Sequence, residues 1–421
     1  MDRFAERVAR LPRLGVGIST EFGASRVGTD PVQLRRAHPE LVQFLEIGAD
    51  VDRGIDADTA AWVGQGWPTT YHFLDLNLEE PEDLDQPWLD ATVALARGAR
   101  AAWLCGDAGL WHVGPRDRGH GTLVPPILCG ASARAMVEAV VALRERSGFE
   151  VLPENPPAQV MVGDLHPLEY FGWVADRADC GLLLDLAHLA IVQRARGLAP
   201  TALLDLFPVE RVVEVHVAGG SEFSHGGRRL IHDDHGPVVH DDTWALLEEV
   251  LHRATALRAV VIECERNPPE VVASLFRQVR AAVADAPGFR GPPVEPPPVP
   301  FEVDARPVDH RGVQRTLFRM SLDPAFAAAV RAAPPPELGE PAGRWLREVD
   351  PTLLEADPDR GRVRQLVGNV ALELQHTVRA AGEAAALDLF PASPELHHAL
   401  AHDTPLVLAF AAYLDRVLPP A

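Results

Sequence analysis

Cysteine is scarce in this sequence, and its few copies are scattered. Four cysteines, Cys105, Cys129, Cys180 and Cys264, occur among 421 residues, and no two of them form a CxxC pair. A disulfide framework or a cysteine-rich zinc module needs closely spaced cysteines, so neither is expected. We expect Cys264 to pack in the core and Cys105 to serve as a small buried apolar side chain.

Long apolar segments are also missing. No run reaches the roughly 18–20 apolar residues that a membrane-spanning helix requires. The first residues, MDRFAERVARLPRLGVGIS, lack the apolar stretch of a secretory signal. We therefore expect a cytoplasmic protein in a reducing compartment, with no membrane partner.

Basic residues are outnumbered by acidic ones. The chain has 39 lysine and arginine residues against 60 aspartate and glutamate residues, a formal net charge of −21. Nucleic acids and anionic membrane surfaces attract basic proteins, so both are disfavoured as partners. The hydrophobic content of 47% is that of a globular protein with a sizeable core, and the length predicts two or three domains.

Short β-type segments alternate with helical patterns through the first 285 residues. The eight strand candidates are Leu14–Ile18, Val42–Ile47, Thr69–Phe73, Ala101–Cys105, Phe149–Pro153, Gly181–Leu184, Val212–Val217 and Arg258–Ile262. The helical patterns between them include Pro87–Arg97, Ser132–Arg146, Pro200–Leu206 and Thr243–Thr255. This alternation predicts parallel βαβ units, and eight units in about 270 residues predict an α/β fold, the (β/α)8 or TIM-like barrel. A doubly wound open sheet is the alternative, but its GxGxxG fingerprint is absent after the first strand.

A proline-rich segment divides the chain. Residues 286–300 read APGFRGPPVEPPPVP, a composition that excludes a helix or a central strand and predicts a semi-rigid linker. The barrel is therefore assigned to residues 1–285. Over residues 301–421 apolar side chains recur at helical spacing and strand signals are few, which predicts a smaller all-α domain.

Polar side chains that can bind metals follow nearly every predicted strand. They are Glu46, His72, Asp107, Glu154, Asp185 with His188, His216 and Glu263, joined by Asp233 and His235 from a Gly-rich loop over residues 219–239. In a TIM-like barrel these positions meet at the carboxyl ends of the strands. Converging carboxylates repel one another unless cations neutralise them. The nitrogen and oxygen donors exceed the ligands of a single zinc, so two or more ions of iron, manganese or zinc are expected.

Each of these residues, taken alone, also has a structural explanation. His72 can be a hydrogen-bonded core histidine, and Asp185 or Glu154 can cap the segment that follows it. Glu263 can lie at a solvated strand edge, and a structural salt bridge is the better explanation for Glu46. The repetition of the pattern from strand to strand favours a metal centre over these separate explanations.

The order of several short motifs resembles a known enzyme family. VGI near the start, the strand-end His72, LPENPP, LLLDLAH, VEVHVAGG, DDHGPV and VIECERNPP follow one another over residues 11–285. In this order they resemble the multinuclear non-haem iron-dependent oxidative enzymes. The resemblance implies a xylose-isomerase-like barrel holding two or three iron ions in mixed Fe(II)/Fe(III) states, with O2 as co-substrate. It also implies oxidative modification of a ribosomally made precursor peptide, usually at Cys and sometimes at Asn or Asp, in natural-product maturation.

The resemblance further implies a ligand set, from which this sequence departs at two positions. The iron ligands carried over by motif are His72, Glu154, Asp185, His216, Asp233, His235 and Glu263, with Glu154 as the bridging carboxylate. The family's histidine after the fourth strand is replaced here by Asp107, and His112 on the following loop is a second candidate for that place. The family's asparagine after the strand-six aspartate is replaced by His188. Asp107 and His188 are accordingly the candidate catalytic residues, and His112 is a further candidate ligand.

The helical region has a possible role by the same resemblance, since enzymes of this family act with a partner protein that binds the precursor peptide. A fused helical domain could supply that role, and a dimerisation or scaffolding module is the alternative. Two other functions stay open: a two-metal xylose-isomerase-like isomerase or hydrolase, and a non-catalytic peptide- or metal-binding scaffold.

Overall fold

Eight parallel strands close into a barrel in the computed structural model, which describes residues 3–20, 28–358, 361–363, 366 and 389–417. The barrel strands are β1 (Gly15–Thr20), β2 (Phe44–Ala49), β3 (Thr69–Phe73), β4 (Ala101–Asp107), β5 (Val151–Glu154), β6 (Leu182–Asp185), β7 (Val212–Ala218) and β10 (Ala259–Glu263). Each strand pairs with the next one in this order, and β10 closes the barrel on β1. The predicted (β/α)8 architecture is confirmed.

The strands run further than the apolar pattern indicated. All of them except β3 continue one or two residues past their predicted ends. Backbone pairing forms the ladder, so a polar side chain at the end of a strand does not stop it. Asp107 thus lies opposite Glu154 in the ladder, and Asp185 lies opposite His216. Side chains expected on loops therefore project from strand ends that are fixed by hydrogen bonds.

Helices pack around the barrel strands, except that the first of them packs through Phe4 and Val8 against Phe44 and Trp103 in the barrel interior. They are α1 (Phe4–Arg10), α2 (Pro31–Ala37), α3 (Ala57–Gly64), α4 (Gln86–Ala99), α5 (Gly130–Ser147), α6 (Pro167–Ala178), α7 (Leu186–Ala195), α8 (Asp241–Arg253), α9 (Pro269–Val283) and α10 (Pro287–Arg290). Three of the four predicted helical segments correspond to α4, α5 and α8. The fourth prediction, a helix over residues 200–206, is wrong, because only a 3-10 turn forms there at Leu204–Leu206. Leu203 has a φ of 66°, a left-handed conformation that interrupts a right-handed helix.

A hairpin replaces the loop expected over residues 219–239. Strands β8 (Gly220–His225) and β9 (Arg228–Asp233) pair antiparallel, so the expectation of a Gly-rich loop is wrong over these residues. Gly226 and Gly227 form the turn with φ values of 54° and 77°. Two-residue hairpin turns need positive φ at both central residues, which a Gly-Gly pair provides. The hairpin ends at Asp233, which it returns to the mouth of the barrel.

The proline-rich segment lies on the barrel. It contains the four-residue helix α10, although no helix was expected there. Proline fits the first position of a helix because the backbone donor it lacks would have no helical partner. Beyond α10, Val299, Phe301 and Val303 pack against the barrel core.

The described part of residues 301–421 is helical, as the sequence predicts. Its helices are α11 (His310–Leu322), α12 (Pro324–Ala332), α13 (Ala342–Glu348), α14 (Pro351–Ala356), α15 (Pro394–His402) and α16 (Leu406–Val417). Residues 361–363 are also helical, and most of the helical pattern expected over 359–390 lies outside the described residues. Phe318, Phe390 and Phe410 form a buried core that includes Leu110 and Val124 from the loop after β4. This shared core fixes the helical region against the carboxyl-end loops of the barrel.

Among the described residues, no helix has the length and apolar character needed to cross a membrane.

Candidate metal centre

The carboxyl ends of the barrel strands bring most of the predicted site residues together. His72, Asp107, Glu154, Asp185 and His216 are all buried. The other members of the cluster are Glu263 at the end of β10, His188 in the first turn of α7, Asp233 at the end of β9, and His235 just after it. The cluster thus draws its side chains from six strand ends of the barrel and from two of the segments that follow them.

Three groups of side chains, two within the cluster and one that also includes the neighbouring Glu46, can each hold a cation. The donor atoms of His72, Asp107 and Glu154 lie within 4.8 Å of one another, as do those of Glu154, Asp185 and His188. The third group, with the same spacing, is Glu46, His216 and Glu263. Mixed imidazole and carboxylate sets of this kind suit iron, manganese or zinc.

Glu154 lies at the centre of the cluster. Its Oε2 atom is 2.7 Å from Nε2 of His72. Its Oε1 atom is 3.5 Å from Nδ1 of His188 and 3.4 Å from Nδ1 of His216. The two oxygens therefore face different groups, which is the geometry that a bridging carboxylate requires.

Several oxygen and nitrogen atoms of the cluster that could bind a metal are buried without a hydrogen-bond partner among the described residues. They are Oδ1 of Asp107, Oδ2 of Asp185, Nδ1 of His216, Oδ1 of Asp233 and Oε2 of Glu263. Buried polar atoms are nearly always paired, because leaving one unpaired costs roughly 1–3 kcal/mol. Five unpaired atoms that surround one small volume fit cations better than they fit a packed polar core.

Burial, together with the charges of neighbouring side chains, shifts the pKa values of the cluster carboxylates strongly. Burial, assisted by the charge of Glu154, raises the pKa of Asp107 to about 7. Burial also raises the pKa of Asp185 well above its usual range. Burial alone would raise the pKa of Glu154 too, but His216 and His72 outweigh it and lower that pKa to about 2. The carboxylates thus compete for a limited supply of positive charge, which metal cations would provide while releasing protons.

A second layer of carboxylates orients the imidazoles. Glu46 Oε2 lies 3.1 Å from Nε2 of His216, so that Nδ1 of that ring faces the cluster. Glu265 Oε1 lies 3.0 Å from Nδ1 of His235 in the same way. Carboxylates that accept from a ligand histidine fix its tautomer and orientation. The salt bridge expected for Glu46 is therefore present, but its partner is a member of the site.

Cys105 and Asp185 each form a hydrogen bond that links the cluster to the surrounding fold. The thiol of Cys105 donates to Glu46 at 3.4 Å, so this cysteine contacts the second layer as well as packing in the core. Asp185 is also the N-cap of α7, where its Oδ1 accepts from the backbone N–H of His188 at 2.6 Å. The capping and metal-binding explanations for Asp185 are compatible, because the cap uses one oxygen and leaves Oδ2 facing the cluster.

His112 is held away from the cluster. Its Nε2 lies 3.0 Å from Asp83 Oδ2, and its Nδ1 lies 2.8 Å from the carbonyl oxygen of Gly114. Both ring nitrogens are therefore engaged outside the cluster. Of the two residues proposed to replace the strand-four histidine, the fold brings Asp107 and not His112 beside His72.

Two neighbouring cavities, which share several lining residues, lie beside the cluster. The inner pocket is lined by cluster residues together with Ser19, Trp111 and Arg362. The outer cavity has a volume of about 740 Å³ and is bounded by barrel loops, by the hairpin, and by residues 355–358, 361, 362 and 366 of the helical region. Arg362 was not anticipated, because an arginine in a helical pattern carries no sequence signal that links it to strand ends far along the chain.

Comparison with known proteins places the barrel among peptide-modifying enzymes. The family model described as "RiPP precursor modification enzyme MbnB/TglH/ChrH" matches residues 23–284. A UPF0276 protein of Anaeromyxobacter sp. (strain Fw109-5) is 28% identical over 279 residues, which cover 66% of this chain and 94% of the relative. A UPF0276 protein of Caulobacter vibrioides is 25% identical over 280 residues, covering 66% and 96% respectively.

Solved structures with similar barrels are more distant. A xylose isomerase domain-containing protein of Salmonella typhimurium LT2 has a TM-score of 0.41 at 14% identity, covering 65% of this chain and 98% of that one. A D-psicose 3-epimerase has a TM-score of 0.38 at 12% identity, covering 65% and 99%.

Proposed function

Because the chain belongs to the MbnB/TglH/ChrH family of RiPP precursor modification enzymes, we propose that it oxidises a ribosomally made precursor peptide with a multinuclear iron centre and O2. The proposed target is a Cys residue, with Asn or Asp as alternatives. The single observation that carries the metal-dependent part is the set of five unpaired, buried donor atoms around Glu154.

The residues divide into three metal positions that share carboxylates. His72 with Asp107 would hold one ion, and Asp185 with His188 a second, both with Glu154 between them. His216 with Glu263 would hold a third ion, with Asp233 and His235 close by. Iron bound at these positions would supply one-electron redox chemistry with O2 and would hold a substrate thiol as thiolate.

The chain itself prepares the site for that chemistry. Glu46 and Glu265 fix the imidazoles of His216 and His235, so each presents one nitrogen to the cluster. The backbone carbonyl oxygen of Asn155 accepts from Nδ1 of His188 at 2.9 Å. This leaves Nε2 of His188 directed toward Asp185 and Asp233. The inner pocket is narrow and its lining is largely buried, so few waters can compete with a bound peptide group.

Metal analysis of protein purified without oxygen tests this proposal. We expect two or three iron ions per chain, magnetically coupled in Mössbauer and EPR spectra, and loss of the coupling in His216→Ala. Zinc or manganese at full occupancy after growth with ample iron would instead favour a two-metal isomerase or hydrolase. A chain that binds no metal would favour a peptide-binding scaffold.

We also propose that residues 301–421 take part in peptide recognition. The support is their position, since the helical region shares a core with the loop after β4 and borders the outer cavity. Deleting the region would expose Leu110 and Val124, so a truncated chain would test folding rather than recognition. Single substitutions at the cavity surface are the better experiment.

A further inference from the structure

The outer cavity lies between the barrel mouth and the helical region. Trp111 and His120 from the loop after β4 and Phe223 and His232 from the hairpin line the barrel side. Residues 355–358, 361 and 362 line the opposite side. Access to the metal centre through this cavity therefore passes between the two parts of the chain.

Arg362 is one of the residues that line both cavities, together with Leu74, Trp111, Asp233 and His235. It lines the outer cavity and also the inner pocket, together with Glu154 and Asp107. It is the only arginine among the described residues that line the inner pocket, and the printed sequence contains no lysine. Of the described residues that line the inner pocket, Arg362, from outside the barrel, is thus the one whose side chain is always positively charged.

The side chain of Arg362 has no hydrogen bond or ion pair with another described residue, whereas its backbone N–H donates to Pro358. Its charge partly offsets the effect of burial on the pKa of Asp107. The other arginines of the outer cavity are engaged. Arg53 pairs with Asp50 at 3.5 Å, and Arg118 pairs with Asp83 at 2.9 Å. Arg266 lies 3.8 Å from Glu265.

A guanidinium in this position needs an anion once metal cations occupy the cluster. The carboxylates would then be neutralised by the metals, and the half-buried guanidinium would face like charges. A carboxylate entering through the outer cavity would satisfy it with charge-assisted, bidentate hydrogen bonds. The cavity volume of about 740 Å³ accommodates a few residues of an extended peptide.

We propose that the cavity between the barrel and the helical region is the peptide-binding cleft, and that Arg362 binds a carboxylate of the peptide next to the residue being modified. This inference rests on the proposed function, whose substrate it specifies further. The carboxylate can belong to an Asp or Glu side chain or to the carboxyl terminus of the peptide. Arg362 is then a specificity residue that the helical region supplies to a barrel enzyme.

Binding of three short peptides to the metal-loaded full chain tests the proposal. The probes are Ac-Asp-Cys-NH2, with a side-chain carboxylate, Ac-Ala-Cys-OH, with a terminal carboxylate, and the neutral Ac-Ala-Cys-NH2. Their affinities are measured by isothermal titration calorimetry under nitrogen, so no turnover is needed. We expect at least one charged peptide to bind about tenfold more tightly than the neutral one, a difference of roughly 1.4 kcal/mol. Which charged peptide it is identifies the source of the carboxylate.

Variants assign the preference to Arg362. In Arg362→Gln the charged and neutral peptides should bind equally, and Arg362→Lys should keep part of the preference. Arg347→Gln is the matched control, because it removes one exposed arginine of the same helical region away from both cavities. Circular dichroism and thermal unfolding establish that all variants are folded.

The outcomes separate the inference from the function on which it rests. If wild type and Arg362→Gln bind all three peptides with equal affinity, Arg362 has no role in recognition, while the proposed function stands. If no peptide binds to the metal-loaded wild type, the proposed Cys-peptide substrate fails, and the inference fails with it.

Discussion

Replacing Glu46 by Gln should weaken metal binding without unfolding the protein. Glu46 is buried below the cluster, where it accepts from His216 at 3.1 Å and from Cys105 at 3.4 Å. Gln has the same shape and can still accept a hydrogen bond from the ring. The substitution therefore removes the negative charge and leaves the packing nearly unchanged.

The size of the effect follows from the hydrogen bond that changes. A hydrogen bond to a charged group contributes about 1.5–3 kcal/mol, against about 1 kcal/mol for a neutral pair. The difference makes His216 a poorer donor to a metal by roughly 0.5–2 kcal/mol. Loss of such an outer partner typically costs a metal site about 10–100-fold in affinity. We expect a loss of about tenfold at the His216 position, with smaller changes at the positions around His72 and His188.

Competition with a coloured chelator measures this affinity, and Glu214→Gln provides the control. Glu214 is buried in the same layer and accepts from Trp103 at 2.6 Å, but it forms no hydrogen bond or ion pair with His216. Burial raises the pKa of Glu214 to about 8, so at pH 7 it is mostly neutral and its replacement changes little charge. Equal metal affinities for Glu46→Gln, Glu214→Gln and wild type would refute the orienting role of Glu46. Equal losses in both variants would point to a general effect of the layer.

Two further predictions concern residues outside the cluster. Burial raises the pKa of Glu79 from 4.5 to about 8 in the folded state, so its contribution to stability is complete below pH 4.5 and is lost as the pH rises through 8. The melting temperature should fall over that range, and Glu79→Gln should flatten the profile; an unchanged slope would contradict this account. His112→Ala should leave the metal content unchanged, because both ring nitrogens of His112 are engaged outside the cluster, by Asp83 and by the backbone carbonyl of Gly114. The same substitution should lower the free energy of unfolding by about 3 kcal/mol, because Asp83 loses a buried partner. A loss of bound metal in elemental analysis would show instead that His112 is a ligand.

The barrel and most of its polar rim could be predicted from local patterns. The alternation of strands and helices can be recognised from the pattern of apolar residues in short sequence segments. Polar residues at strand ends, such as Asp185 and Glu263, directly follow those apolar segments. Closure of the barrel then brings these ends together whatever the intervening loops contain. The hairpin over residues 220–233 was missed because its strands are polar and largely exposed, although the Gly226-Gly227 turn was a usable signal.

The sequence could not predict which carboxylates form the second layer, or that Arg362 of the helical region borders the site. Glu46 and Glu214 are both carboxylates on barrel strands, yet only Glu46 forms a hydrogen bond with a histidine of the cluster, and that depends on strand register. The position of Arg362 could not be predicted either, because it follows from the core that Phe318 and Phe390 share with the loop after β4.

A substitution in that shared core should disturb the position of Arg362 and so weaken peptide binding. Phe390→Ala should lower the free energy of unfolding by about 3–5 kcal/mol and loosen the helical region, so that the peptide preference assigned to Arg362 weakens while the metals remain bound. Loss of metal together with the peptide preference would show that the helical region supports the barrel site itself and does more than complete the cleft.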